Sequence, residues 1–222
     1  MSADDFALLA PDLEVCKESR GTVLFRAGQP ADRVWFLHSG IASMVAVSPD
    51  QLRVEAGVVG REGFVPIAAA LGSDTSPYEG IIQMPDDCHS ISLPAFCKAL
   101  DRSKTLRDLC LSFVQVMTSQ IAYTALSNAV HPIDERLARW LLMCDDRIVG
   151  SELPLTHEFM SVMLTVRRPS VTSALHVLEG NGFIRAERGC IVIRNRAALE
   201  AFASDAYGKP EAEYERLIGQ FR

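Results

Sequence analysis

Two adjacent arginines stand near the start of "LTVRRPSVTSALHVLEGNGFI", residues 164–184, which otherwise has the spacing of an amphipathic helix. Pro169 follows Arg167 and Arg168, and a proline is tolerated in the first turn of a helix because its missing N–H has no partner there. The helix dipole disfavours cations at this end. The pair could be ordinary surface arginines, but its position indicates an anionic partner. An arginine there can donate two hydrogen bonds to a guanine in the DNA major groove.

The residues around this pair have the pattern of a winged helix-turn-helix unit. Thr156 is suited to cap a first helix, and a tight turn leads to the second helix, which ends near Gly180 and Gly182. Three polar side chains would face outward from the second helix and contact bases or phosphates: Ser170, Thr172 and Ser173. The segment "FIRAERGCIVIRN" alternates around Arg188 and predicts a small hairpin, whose tip would place Arg188 against phosphate.

The charge of the 222-residue chain supports a local anionic contact surface. The net charge is -6, but residues 1–150 carry 13 Lys and Arg against 19 Asp and Glu, whereas residues 151–222 carry nine of each kind. The whole negative excess therefore lies in the first part. A mildly basic segment within an acidic protein suits a small DNA contact better than a protein that coats nucleic acid.

The elements that must position these residues divide into three parts. Dense Gly and Pro signals between short β-rich runs over residues 21–94 predict an antiparallel, jelly-roll-like β-roll. Residues 106–129 contain no Gly or Pro and predict one long amphipathic helix. We expect an α+β fold with a β-roll at 1–104, a dimerisation helix at 105–131 and a DNA-binding domain at 132–222. The expected seam residues of the dimer are Leu106, Leu109, Phe113 and Met117.

Composition excludes several other classes of protein. Apolar runs fall far short of the roughly 20 residues of a membrane span, and the first residues lack the pattern of a signal peptide, so we expect a cytoplasmic protein. The six cysteines form no CxxC pair, and we expect them to be reduced and mostly buried, with no metal bound. The alternative is one exposed thiol that senses oxidation, for which Cys16 and Cys190 are the candidates.

Four segments give the chain a resemblance to a known family: "FRAGQPADRVWFLHSG", "DERLARWLLM", "LPLTHEFMSVMLTVRRPSVTSALHVLEGNGFI" and "RGCIVIRNRAALE". Over nearly its full length the sequence resembles the Crp/Fnr family of bacterial transcription regulators. The resemblance implies a cyclic-nucleotide-binding-like roll, a long dimerisation helix and a winged helix. It also implies a homodimer that binds palindromic DNA and acts on RNA polymerase, with no cofactor and no enzymatic activity.

The resemblance also implies roles for single residues. Arg168 matches the arginine with which the family recognises guanine, and Thr156 matches a threonine that contacts phosphate. Arg167 stands where a small polar residue is more frequent, and we expect a phosphate contact or a local salt bridge for it. Pro169 and Ser173 replace a glutamate and an arginine of many members, so the preferred DNA sequence should differ.

The resemblance places an effector pocket in the β-roll but does not identify the effector. Glu62 and Gly63 can stand in for the Gly-Glu pair that holds the ribose of a cyclic nucleotide, and with Phe64 they form the expected effector pocket. Where the family has a phosphate-binding arginine, this chain has "SPYEG", whose one charge is Glu79. A buried cyclic phosphate beside a carboxylate is strongly disfavoured. We therefore expect no cyclic AMP binding of the usual kind, and an unknown small molecule as effector.

Other possibilities remain open at this point. A degenerate cassette could still bind a cyclic nucleotide, with Arg61 reaching into the site, or the roll could serve only as a platform for dimerisation. A remote alternative is a cupin-type metal enzyme, which would use His38, His89, Glu55 and Glu62. No HxH spacing supports that alternative.

Overall fold

Two antiparallel sheets form the N-terminal half of the computed structural model, which describes residues 1–148, 150 and 152–221. The strands are β1 (Glu14–Glu18), β2 (Val23–Phe25), β3 (Arg33–Leu37), β4 (Ile41–Val47), β5 (Arg53–Val59), β6 (Tyr78–Met84) and β7 (Asp86–Ser92). They form the sheets β1-β7-β3 and β2-β6-β4-β5. Val34, Met44, Ile82 and Ile91 are buried in the core of this half. The predicted β-roll and α+β class are confirmed.

Three helices accompany the roll: α1 (Ala3–Leu9), α2 (Leu93–Arg102) and α3 (Lys104–Val130). The hydroxyl of Ser103 caps α3 by accepting a hydrogen bond from the Leu106 N–H. The helix ends at His131, which has extended backbone because Pro132 follows it. At about 1.5 Å per residue, the 27 residues of α3 span about 40 Å.

The predicted seam residues of α3 are already covered within one chain. Leu106, Phe113 and Met117 are 2%, 3% and 0% exposed and pack into the core of the roll, while Leu109 is half-buried. Leu106, Phe113 and Met117 are therefore not exposed to a second chain, whereas a seam contact of Leu109 stays a prediction. Helical spacing reveals an apolar stripe but does not show whether the roll or a second chain covers it.

A side-chain amide and two close contacts hold α3 against the roll. Gln120 accepts a hydrogen bond from the Val58 N–H at 2.6 Å and donates one to the Val58 carbonyl at 3.2 Å. Glycine is required at two facing positions, because a Cβ at Gly57 would overlap Gln120 and one at Gly63 would overlap the ring of Phe113. By length and composition α3 could cross a membrane, but these contacts show a helix that packs on a folded domain.

A second core forms after α3. Its elements are α4 (Ile133–Asp145), β8 (Glu152–Leu153), α5 (His157–Met163), α6 (Arg168–Gly180), β9 (Ile184–Glu187), β10 (Cys190–Ile193) and α7 (Arg196–Ala203). Leu141, Val171, Leu175 and Leu178 are fully buried between the helices. The two predicted helices and the hairpin are confirmed. The short strand β8, which joins the hairpin in the order β8-β10-β9, is an addition to the prediction.

The last helix, α8 (Lys209–Leu217), returns to the N-terminal half. It packs along α3, and its Tyr214 is buried in the core of the roll. The Tyr214 hydroxyl donates a hydrogen bond to the Glu62 carbonyl at 3.2 Å. The predicted DNA-binding domain at 132–222 therefore includes a C-terminal segment that packs on the roll.

Candidate nucleic-acid interface

A groove of about 660 Å³ lies between α6 and the β9–β10 hairpin. Three of the predicted DNA-contacting residues, Thr156, Arg168 and Arg188, line it together. They come from the start of α5, the start of α6 and the tip of the hairpin. Residues that are up to 32 positions apart in sequence thus meet on one surface.

Arg168 is the first residue of α6, and its side chain is 65% exposed. The preceding residue, Arg167, has extended backbone and makes no side-chain cap, and Pro169 follows in the first turn as predicted. One guanidinium nitrogen of Arg168 lies 3.9 Å from a carboxylate oxygen of Glu158. An exposed pair of this kind contributes about 1 kcal/mol at most, so it leaves Arg168 available to an anion. Within the described part of the chain, Arg167 is exposed and has no ion pair.

The hydroxyl groups near Arg168 are engaged with the protein's own backbone. Thr156 caps α5 by accepting a hydrogen bond from the Phe159 N–H at 3.2 Å. Ser173 donates to the Pro169 carbonyl at 3.1 Å, and Thr172 donates to the Arg168 carbonyl at 3.2 Å. Ser170 is half-buried. Because the Ser173 proton is used within the helix, its oxygen is better placed to accept from a base amino group than to donate to phosphate.

The hairpin forms a wing whose tip carries Arg188. A two-residue turn joins β9 and β10, and Gly189 has a φ of +78° there, which glycine adopts at no steric cost. Arg188 is exposed, whereas Glu187 pairs with Arg185 at 2.9 Å. Glu179 of α6 accepts a hydrogen bond from the Ala186 N–H at 2.9 Å. This bond fixes the wing against α6.

Two histidines in the groove were not among the site residues predicted from the sequence. His157 bonds through Nδ1 to the Thr172 hydroxyl at 3.1 Å, and exposed His176 lies on the same side of α6 as Arg168. A signal was present, because residues 168, 172 and 176 are four apart and share one helix face. Both side chains offer hydrogen-bond donors to DNA.

The turn between α5 and α6 has strained backbone. Thr165, which replaces the turn glycine frequent in the family, has a φ of +54°. This left-handed conformation is unfavourable for a β-branched residue.

The expected effector residues Glu62, Gly63 and Phe64 line one cavity, but the carboxylate of Glu62 is already engaged with a cation. Glu62 pairs with Arg147 at 2.7 Å, with the two side chains 4% and 3% exposed, and also accepts a hydrogen bond from the Gly60 N–H. Phe64 is buried beside Phe113. A ribose would therefore have to displace Arg147 from Glu62.

Glu79 has partners that the sequence did not reveal. Its buried carboxylate pairs with Arg53 and lies 3.5 Å from Arg26. Arg53 comes from β5 and Arg26 from the segment after β2, so residues distant in sequence supply the cations. Both arginines are thereby engaged with a carboxylate.

The residues of the remote cupin alternative do not converge. His38 bonds to His89 at 2.7 Å, Glu55 accepts hydrogen bonds from Ser43 and Trp140, and Glu62 pairs with Arg147. Burial raises the pKa of Glu55 to about 7. Over the described ranges, the group whose ligand atoms lie close enough to share a metal ion is a different one: Cys16, Glu18 and Cys88.

The two candidate redox cysteines, Cys16 and Cys190, lie in different environments. The sulfur atoms of Cys16 and Cys88 lie 2.7 Å apart, directly opposite each other across β1 and β7. At Cys190, burial and then the charges of Glu152 and Glu187 raise the thiol pKa, which lowers the reactive thiolate fraction.

Comparison with known proteins gives one consistent result. Residues 17–103 match the family model of the cyclic nucleotide-binding domain, and residues 135–202 match that of the Crp-like helix-turn-helix domain. The HTH-type transcriptional regulator Cmr of Mycobacterium tuberculosis is 26% identical over 205 residues, which cover 90% of this chain and 80% of that protein.

Two solved structures share the fold at low sequence identity. FixK2 from Bradyrhizobium japonicum has a TM-score of 0.71 and 15% identity, with 86% of this chain and 98% of that chain covered. A Crp/Fnr-family transcriptional regulator from Eubacterium rectale has a TM-score of 0.68 and 17% identity, with 91% and 95% covered.

Proposed function

The chain belongs to the Crp/Fnr family of transcription regulators, and we propose that it binds a palindromic operator in the cytoplasm as a homodimer. The observation that carries this proposal is the groove between α6 and the wing, which brings together Arg168, Thr156 and Arg188. The protein acts by binding DNA and contacting RNA polymerase, and not by catalysis.

The groove residues have different roles in DNA recognition. Arg168 enters the major groove and donates to a guanine, because it lies at the exposed start of α6. Thr156, Arg167 and Arg188 contact phosphates on either side and fix the position of the helix. Ser170, Thr172 and Ser173 lie along the same turn and supply further polar contacts to DNA.

The dimer forms through the face of α3 that the roll leaves open. Five exposed residues follow one another at spacings of seven, four, three and four: Leu111, Thr118, Ala122, Ala125 and Ala129. This is the spacing of a coiled-coil seam, and the small side chains allow two helices to approach closely. This pairing differs from the seam predicted from Leu106, Leu109, Phe113 and Met117. It would set the two recognition helices about one DNA turn apart, roughly 34 Å.

The effector is not cyclic AMP bound in the family's usual way. Glu62 is held by Arg147, and the position of the phosphate-binding arginine carries Glu79, which is itself paired with arginines. The match to the cyclic nucleotide-binding domain keeps a nucleotide-responsive regulator as the second candidate. Calorimetric titration separates the two, because micromolar binding of cyclic AMP to the purified protein would favour the second.

Selection of bound DNA from a random pool tests the proposal. We expect enrichment of an inverted repeat with half-site centres about 10 base pairs apart and a guanine at the same place in each half. Enrichment of no sequence would contradict specific DNA binding, and a single unrepeated half-site would contradict the homodimer.

A further inference from the structure

A second cavity, of about 280 Å³, lies where the roll, α3 and α8 meet. Its lining includes Phe36, Phe64, Phe96, Leu109, Phe113 and Ile218. The cavity is separate from the DNA groove. Its walls combine the predicted effector residues Glu62, Gly63 and Phe64 with Leu106, Leu109 and Phe113 of the predicted dimer seam, a combination that neither prediction anticipated.

The walls of this cavity are mostly apolar. The ring of Phe64 lies 5.5 Å from that of Phe96 and 5.4 Å from that of Phe113, both measured between centroids. The thiol of Cys110 also faces the cavity, and burial raises its pKa to about 12, so it is uncharged. A polar ligand such as a ribose phosphate would leave many groups without partners here.

The lining of the cavity also includes the cationic side chain of Arg61. Arg61 is exposed, and over residues 1–148, 150 and 152–221 its hydrogen bonding consists of one long contact, 3.5 Å to the Asp146 carbonyl. The neighbouring carboxylate of Glu62 is already neutralised by Arg147 at 2.7 Å. Arg147 has Glu62, Asp146 and Glu211 as charge partners, so Arg61 is the cationic side chain of the lining that can pair with an anionic ligand.

We propose that this cavity binds a medium-chain monocarboxylate, with its apolar chain among the phenylalanines and its carboxylate at Arg61. A cavity of about 150 Å³ holds one benzene molecule, so about 280 Å³ suits an apolar chain of roughly eight to ten carbons. The ligand class follows from the charge of Arg61. An amine would be repelled by the guanidinium, and an alcohol would accept a weaker hydrogen bond than a carboxylate does.

A bound carboxylate would connect α8 to the roll. Tyr214 of α8 and Ile218, which directly follows α8, line the cavity, and the ring of Tyr214 packs against Phe221 at 4.9 Å between centroids. Phe221 in turn lies under the guanidinium of Arg147, which follows α4. Occupation of the cavity therefore stabilises the contact between the C-terminal segment and the N-terminal half.

Calorimetric titration of the full chain with decanoate, below the concentration at which decanoate forms micelles and without DNA, tests the proposal independently of DNA binding. We expect saturable binding of one decanoate per chain and binding of decanol about fivefold weaker. Arg61→Gln should weaken decanoate binding by a similar factor, while Arg102→Gln, at an exposed position outside the cavity, should not. Leu109→Trp should fill the cavity and abolish binding, with circular dichroism to verify its fold.

The outcomes are decisive in either direction. Absence of saturable decanoate binding to the wild-type chain would overturn the proposal. So would equal affinity for decanoate and decanol, or full affinity in Arg61→Gln, because the carboxylate would then not lie at Arg61. These results leave the DNA-binding proposal untouched, since operator binding is measured separately.

Discussion

Glu55 is a buried carboxylate at the contact between the roll and the winged helix, and its protonation should control stability. It lies on β5, where it accepts hydrogen bonds from the Ser43 hydroxyl and, at 2.7 Å, from the Trp140 indole of α4. Burial raises its pKa from 4.5 to about 7. We expect Glu55→Gln, which keeps the shape and removes the charge, to stabilise the protein at alkaline pH.

The size and sign follow from the two pKa values. A shift from 4.5 to about 7, at about 1.4 kcal/mol per unit, corresponds to about 3 kcal/mol. Because the folded-state pKa is raised, Glu55 is protonated in both states below pH 4.5 and costs nothing there. Between pH 4.5 and 7 the unfolded state loses its proton first, so stability falls as the pH rises. The variant should gain nothing at pH 4.5 and up to about 3 kcal/mol at pH 8.

Chemical denaturation at several pH values measures this difference. Glu79→Gln is a matched control, because Glu79 is equally buried but pairs with Arg53 and Arg26, so its neutralisation should lower stability. A gain for Glu55→Gln that is the same at pH 4.5 and pH 8, or no gain at pH 8, would refute the linkage to Glu55.

Three further predictions concern other parts of the molecule. Thr165→Gly should raise the free energy of unfolding by up to about 1 kcal/mol in denaturant titrations, because glycine adopts a φ of +54° without strain. A loss of stability would contradict strain at Thr165. Ala122→Glu should shift the dimer toward monomer in sedimentation, while Asn128→Glu, on another side of α3, should not; equal behaviour of both variants would exclude the proposed seam. Diamide, a thiol oxidant, should lower the thiol count from six to four by linking Cys16 to Cys88, and a count of six after treatment would contradict their pairing.

The local structure around the DNA interface was predictable because it depends on neighbours in sequence. The cap at Thr156, the proline in the first turn of α6 and the tip of the wing at Arg188 all follow from short-range rules of helix and turn geometry. The long helix was predictable for the same reason, since residues 106–129 contain no residue that interrupts a helix.

The remaining features depend on contacts between distant residues. The apolar stripe of α3 could not show that Phe113 packs over Gly63, and nothing local indicated that Tyr214 returns to the roll. The pairing of Glu62 with Arg147 joins residues 85 positions apart. Such pairs arise from the tertiary fold, and no spacing rule identifies them.

Whether Arg168 recognises a base is tested most directly by a double-mutant cycle on the selected operator. Replacing the guanine pair in each half-site should weaken wild-type binding by about 1 to 3 kcal/mol per half-site, and in Arg168→Ala the same replacement should have little further effect. Arg188→Ala serves as the comparison, because loss of a phosphate contact should weaken binding to every sequence equally. If Arg168→Ala also weakened every sequence equally and kept the full preference for guanine, base recognition by Arg168 would be contradicted.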